Sequence, residues 1–161
     1  MAYDFLGLVN AVNRRLNEVE LSSANFATAT GFYSQAKDAV NASIRYINQS
    51  EYFWPFNHNT KEQNLVANTT RYAFPTDAKV INFNTFRIKE NSTLGNATTR
   101  ITEVSYEDYL DKYVEQEYSS ATGSGVPTMV AQSPDLNFIL TPEPNKAYNL
   151  VFEYYAFPTD L

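Results

Sequence analysis

The 161-residue sequence predicts an α+β fold: an N-terminal helical hairpin packed against a mainly antiparallel β-sheet or sandwich, with one further helix. Three observations lead there. All seven prolines (positions 55, 75, 127, 134, 142, 144 and 158) lie beyond residue 54. Before that point apolar residues recur every three or four positions, and after it the apolar period shortens to two. Residues 1–50 therefore read as a helical region and 51–161 as a mainly β region with a helix near 105–118, together one compact unit.

The elements follow in order. Phe5, Leu8, Val9, Val12, Leu16 and Val19 form one apolar stripe on a helix that ends near residues 18–21. Over residues 25–48, Ala29, Phe32, Tyr33, Ala36, Val40, Ile44 and Ile47 keep helical spacing, with Ser22 or Ser23 as N-cap. At about 1.5 Å per residue this rod spans roughly 35–40 Å. Gly31 interrupts it at a cost of about 1 kcal/mol relative to alanine. Residues 61–66 and 70–74 read as paired strands around Ala67-Asn68-Thr69, and 80–88 continues as extended chain. Asn91 to Thr99, with Gly95, reads as a hairpin loop or mobile tip. Ser105 caps the next helix, with acidic residues in the first turn where the helix dipole favours them. Tyr106, Tyr109, Leu110, Tyr113 and Val114 face the sheet. Residues 119–125 read as a flexible stretch, and 127–131, 136–140 and 148–155 as three more strands. The hexapeptide Tyr-Ala-Phe-Pro-Thr-Asp closes a strand twice, at 72–77 and 155–160, because proline cannot donate to a β ladder and Thr-Asp favours a turn.

Composition narrows the function. With 43% hydrophobic and 15% aromatic residues against 19% charged, there is ample apolar surface to offset chain entropy, so the chain folds. The absence of cysteine excludes disulfides, thiolate zinc sites and a cysteine nucleophile, and a single histidine, His58, leaves little for His-dependent triads or multi-His metal sites. The formal charge of −6 is lopsided. Residues 1–102 hold ten Lys/Arg and eight Asp/Glu, whereas 103–161 hold two and ten. Without a basic run, strong phosphate-backbone binding is disfavoured. The opening residues carry no basic export signal, and no stretch approaches the ~18 apolar residues of a membrane span.

Few constellations invite chemistry. Glu107, Asp111 and Glu115, at i, i+4 and i+8, form a carboxylate stripe that reads as a solvated face, a cation site through oxygen ligands, or an interface or channel lining. No EF-hand spacing accompanies it. Thr122-Gly123-Ser124-Gly125 lacks the Lys-Ser/Thr of a phosphate loop and reads as a linker. Phe53, Trp54 and Phe56 sit at the helix-to-sheet boundary, where large rings fill a junction core. His58, between Asn57 and Asn59, reads as a hydrogen-bonded junction residue. Five Asn-x-Ser/Thr triplets are the coincidence expected of a chain with seventeen asparagines. No catalytic, cofactor-binding or metal-ligating residue is assigned.

Taken in order, several separated motifs carry a resemblance. They are Leu6 and Asn10 followed by Arg15-Leu16-Asn17-Glu18, then Ala36-Lys37-Asp38-Ala39-Val40-Asn41, then Tyr52-Phe53-Trp54-Pro55-Phe56. Next come the strand end Tyr72-Ala73-Phe74-Pro75-Thr76-Asp77, Glu107-Asp108-Tyr109, Gly125-Val126-Pro127, and a closing hairpin from Leu140-Thr141-Pro142-Glu143-Pro144 to Phe152-Glu153-Tyr154-Tyr155. Over nearly its full length the chain resembles the head-to-tail adaptor proteins of tailed bacteriophages. The resemblance implies a structural virion protein, not an enzyme and without cofactors. It implies a homo-oligomeric ring, a dodecamer matching the portal's symmetry, between the portal and a tail or nozzle protein. Such a ring continues the DNA channel and passes genomic DNA at ejection without sequence-specific binding. It would sit in the neck of the virion after assembly in the host cytoplasm, with no membrane partner.

Two rival readings remain. A β-sandwich glycan- or receptor-binding module of a virion or cell surface would use Tyr, Trp and Asn as its platform, but such modules rarely begin with fifty residues of helix. A cation-dependent hydrolase would rest on Glu107, Asp111 and Glu115.

Overall fold

A computed structural model describes residues 4–89, 98–118 and 123–159. The loop expected over 91–99 and the flexible stretch expected over 119–125 lie largely outside these. The chain divides into two compact units, a helical one ending at Tyr52 and a β-rich one, Phe53–Phe157.

In the helical unit, α1 (Phe5–Arg15) starts where the Asp4 carboxylate accepts a hydrogen bond from the Gly7 N–H at 2.7 Å, and it ends on Arg14 and Arg15. Both ends complement the helix dipole. Val9 is fully buried and packs with Ala36 and Val40 of α3 (Phe32–Ser50). The return from α1 is clamped by one side chain. The buried Asn10 amide accepts from the Leu21 N–H and donates to the Leu21 carbonyl, both at 2.8 Å, satisfying two backbone groups a loop would otherwise leave to water.

The long helix begins later than its apolar spacing predicts. Ser23–Phe26 forms a separate single turn, α2, held by Asn25 Oδ1 accepting from the Ser22 N–H at 2.7 Å. Gly31 stands just before α3 at φ +65°, in the left-handed region that suits glycine, and so starts the helix instead of interrupting it. The periodicity through Ala29 reflects packing of this connection onto the same core.

The β-rich unit is a sandwich of two four-stranded sheets with a helical cover. Its strands are β1 (His58–Asn64), β2 (Arg71–Ala73), β3 (Ala78–Lys89), β4 (Thr98–Arg100), β5 (Thr102–Val104), β6 (Met129–Ser133), β7 (Asn137–Thr141) and β8 (Asn149–Ala156). One sheet runs β1-β8-β3-β4 and the other β2-β7-β6-β5. All pairings are antiparallel except β5 with β6. That parallel pair is joined by a crossover containing α4 (Tyr106–Lys112) and α5 (Val114–Tyr118).

The predicted hairpin of residues 61–66 and 70–74 does not form. β1 pairs with β8 and β2 with β7, so the chain changes sheets at the turn around Asn68, which takes a left-handed φ of +59°. Each strand finds a more apolar partner than the other would be. The single helix expected over 105–118 also divides, at Tyr113.

The sandwich core is built of phenylalanine. Leu150, Phe152, Tyr154 and Ala156 alternate inward from β8. They meet Phe83, Phe86 and Ile88 of β3 and, from the facing sheet, Val130, Phe138 and Leu140. Phe83 and Phe86 are three apart, so a regular strand would send them to opposite faces. An irregularity solves this. Asn82 pairs with Glu153 and Arg87 with Val151, so β3 advances five positions while β8 moves two. Thr85 fills the gap: its hydroxyl donates to the Asn82 carbonyl at 2.7 Å and accepts from the Glu153 N–H at 2.9 Å. We expect Thr85→Val, which keeps the shape but loses both bonds, to cost about 1–2 kcal/mol in urea unfolding. A neutral result would mean that the bulge holds without the hydroxyl.

The two copies of the hexapeptide meet where Asp77 of the first lies beside Phe157 of the second. Ala78 pairs with Ala156, the Phe157 N–H donates to the Asp77 carbonyl at 2.8 Å, and the Tyr154 hydroxyl lies 3.1–3.2 Å from both Asp77 carboxylate oxygens. Shared stop chemistry thus closes neighbouring chain segments.

Candidate assembly surfaces

Arg71 and Glu117 form a half-buried ionic knot, and the sequence gives no local sign of it. Glu117, on the single-turn α5, takes Arg71 of β2 in a two-pronged grip, Arg71 Nε to Oε1 at 2.7 Å and Nη2 to Oε2 at 3.0 Å. The Tyr109 hydroxyl donates to the same carboxylate at 2.6 Å and Thr70 adds a longer bond at 3.3 Å. Arg71 and Glu117 side chains are only 31% and 16% exposed, so solvent screens their attraction little. The Arg71 bonds hold the Glu117 carboxyl below its ordinary range, while burial and then Glu117 push the Tyr109 phenol up. Tyr109 packs on Ala131 and Ile139, so the knot fastens the helical cover to the sheet. Arg71 and Glu117 lie 46 residues apart, and only the β2–β7 pairing brings them together.

Glu107, Asp111 and Glu115 behave differently. All three are exposed, and the break at Tyr113 puts Glu115 on a different helix from the other two. Their neighbour Asp108 is spoken for, accepting from Lys112 at 2.7 Å and from the capping Ser105. Leu110, expected to face the sheet, instead points outward at 41% exposure between Glu107 and Asp111, because Tyr109 takes the inward position. Among the described residues no group of three or more His, Asp or Glu side chains is placed to hold a metal ion.

The junction aromatics also stand elsewhere than the sequence suggests. Phe53 and Phe56 are 61% and 72% exposed and Trp54 is half-buried. Pro55 opens a 3-10 turn, Pro55–Asn57, that stacks Trp54 on Phe56 with ring centres 5.3 Å apart. Phe53 and His58 both meet Tyr155 of β8 edge-on, at 5.2 and 5.6 Å, and His58 Nε2 lies 3.2 Å from Glu153. The result is an aromatic surface along the β1–β8 edge in place of a core.

A third surface belongs to the helical unit. α1 and α3 leave an open groove of about 430 Å³ between them, lined mainly by Leu8, Val12, Val40, Ile44 and Ile47. Arg15 is its charged residue. Two helices cannot each bury a full apolar stripe against one another, so part of both stripes stays open.

These surfaces suit binding and assembly. No helix among the described residues is long and apolar enough to cross a membrane. No curated protein matches the chain. A family model described as "SU10 adaptor protein" matches residues 3–161, which span both units and every surface described above. The chain belongs to this family of bacteriophage head-to-tail adaptors, whose role is structural.

Proposed function

We propose that the protein assembles as a ring between the portal and the tail, a dodecamer that matches the portal and continues the DNA channel. The observation that carries this reading is the family match across residues 3–161. The reading needs no catalysis or cofactor: portal and tail proteins are the partners, and the ring takes its place in the virion neck after assembly in the host cytoplasm. A closed ring requires each protomer to offer two unlike surfaces to its neighbours. The helical groove and the acidic crossover supply unlike surfaces. Twelve copies of a chain of charge −6 carry about −72. An acidic lining repels phosphates, so the genome slides at ejection and does not stick.

Electron microscopy of the purified protein, alone and with its portal, tests this. The expected image is a twelve-fold ring seated on the portal. A protein that stays monomeric and never joins a portal would overturn the reading.

A further inference from the structure

Two features of one chain match each other. On the helical unit, the groove between α1 and α3 is apolar apart from Ser43 and Arg15, and Arg15 makes no ion pair among the described residues. Ala39 and Ser43 also line it, and such small side chains let another helix approach closely. On the crossover, Glu107, Leu110 and Asp111 stand at i, i+3 and i+4 and share one face of α4. Leu110 is exposed, and neither flanking carboxylate is in an ion pair among the described residues. One surface is an apolar slot with a spare cation, and the other an apolar knob with spare anions.

We propose that the α1–α3 groove of one protomer receives the Leu110 face of α4 from a second copy, with Arg15 meeting Glu107 and Asp111 of that copy. The inference rests on the ring reading and names the surfaces that join its protomers. Leu110 fills the slot and shields the flanking ion pairs, which strengthens them. Because the two surfaces differ, the contact is heterologous and propagates from protomer to protomer, closing only if its rotation permits. A portal helix is the other natural occupant. The charge match within this one chain favours the second copy, since the cation and the anions it lacks are both displayed by the same protein.

The full-length protein tests this by sedimentation velocity over a concentration series. R15E and the pair E107K/D111K are each expected to weaken self-association about tenfold or more, and L110D to do the same without touching the groove. Combining R15E with E107K/D111K re-pairs the charges, and association is expected to return to within about threefold of the native protein. All these positions are at least partly exposed, and circular dichroism checks that each variant folds. Native protein that forms rings, with R15E, E107K/D111K and L110D assembling equally well, overturns this interface and leaves the ring reading standing. Loss of portal binding in R15E with unchanged self-association assigns the groove to the portal and also overturns it. A native protein that is monomeric with and without portal removes the ring reading and the interface together.

Discussion

Truncation of Phe86 to alanine is expected to cost the β-rich unit about 3–5 kcal/mol. Phe86 is fully buried. Its ring stacks on Phe152 at 4.6 Å and on Phe83 at 5.1 Å, and it meets Phe138 of the facing sheet edge-on at 5.3 Å. Losing it therefore opens a cavity that both sheets border, and three rigid rings cannot collapse into the space. The irregularity in β3 raises the cost, because its register exists to turn Phe83 and Phe86 to the same side. Urea unfolding followed by far-ultraviolet circular dichroism measures the loss. A cost below about 1 kcal/mol would show that the core relaxes around the cavity, which the ring packing argues against.

The second large effect lies at Glu117. Glu117→Gln is expected to cost about 1–3 kcal/mol near pH 7 and to flatten the acid side of the stability profile. The amide keeps one acceptor but turns an N–H₂ toward Arg71, where it meets donors with a donor. The sign of the pH dependence follows from the direction of the shift. Arg71 holds the Glu117 carboxyl below its ordinary value near 4.5, so the folded state binds its proton less readily than the unfolded chain does. The stabilisation is complete above that ordinary value. It drains away as pH falls from there through the folded value, when protonation weakens the grip on Arg71. Thermal midpoints of the native protein and E117Q should therefore converge as the pH is lowered from 7 to 3. Parallel curves would mean that Glu117 gains nothing from Arg71. Because α5 has five residues, too few to hold as a helix alone, E117Q should also speed hydrogen exchange in residues 114–118.

Much of the architecture is local in origin and legible in the chain. The stripe of α1 and its acidic N-cap, the period-two burial of β8, the cap at Ser105 and the proline stops all depend on residues within a turn or two of one another. The order of the adaptor motifs is equally a property of the chain, and the family match over residues 3–161 agrees with it. Two local signals misled for a physical reason. The apolar spacing through Ala29 is genuine packing, but Gly31 at positive φ ends the preceding connection before the helix begins. The rings at 53–56 have the composition of a core, yet a proline-led turn stacks Trp54 on Phe56 and leaves Phe53 and Phe56 exposed.

Sequence by itself determined the fold class, the two kinds of region, the places where strands stop, and the family. Tertiary structure alone decided which strands pair, which carboxylates are engaged and which faces stay open. Periodicity reports only that one side of an element is apolar, and β1 or β2 would satisfy that with several partners. The choice is made by the whole sheet, through the register that buries Phe83, Phe86, Phe138 and Phe152 together. That same choice brings Arg71 to Glu117 and leaves Glu107 and Asp111 facing outward beside Leu110. Acidic side chains a few positions apart thus differ in standing, Glu117 fastening the helical cover to the sheet and Glu107 and Asp111 exposed, because burial and partnership are set by residues distant in the chain.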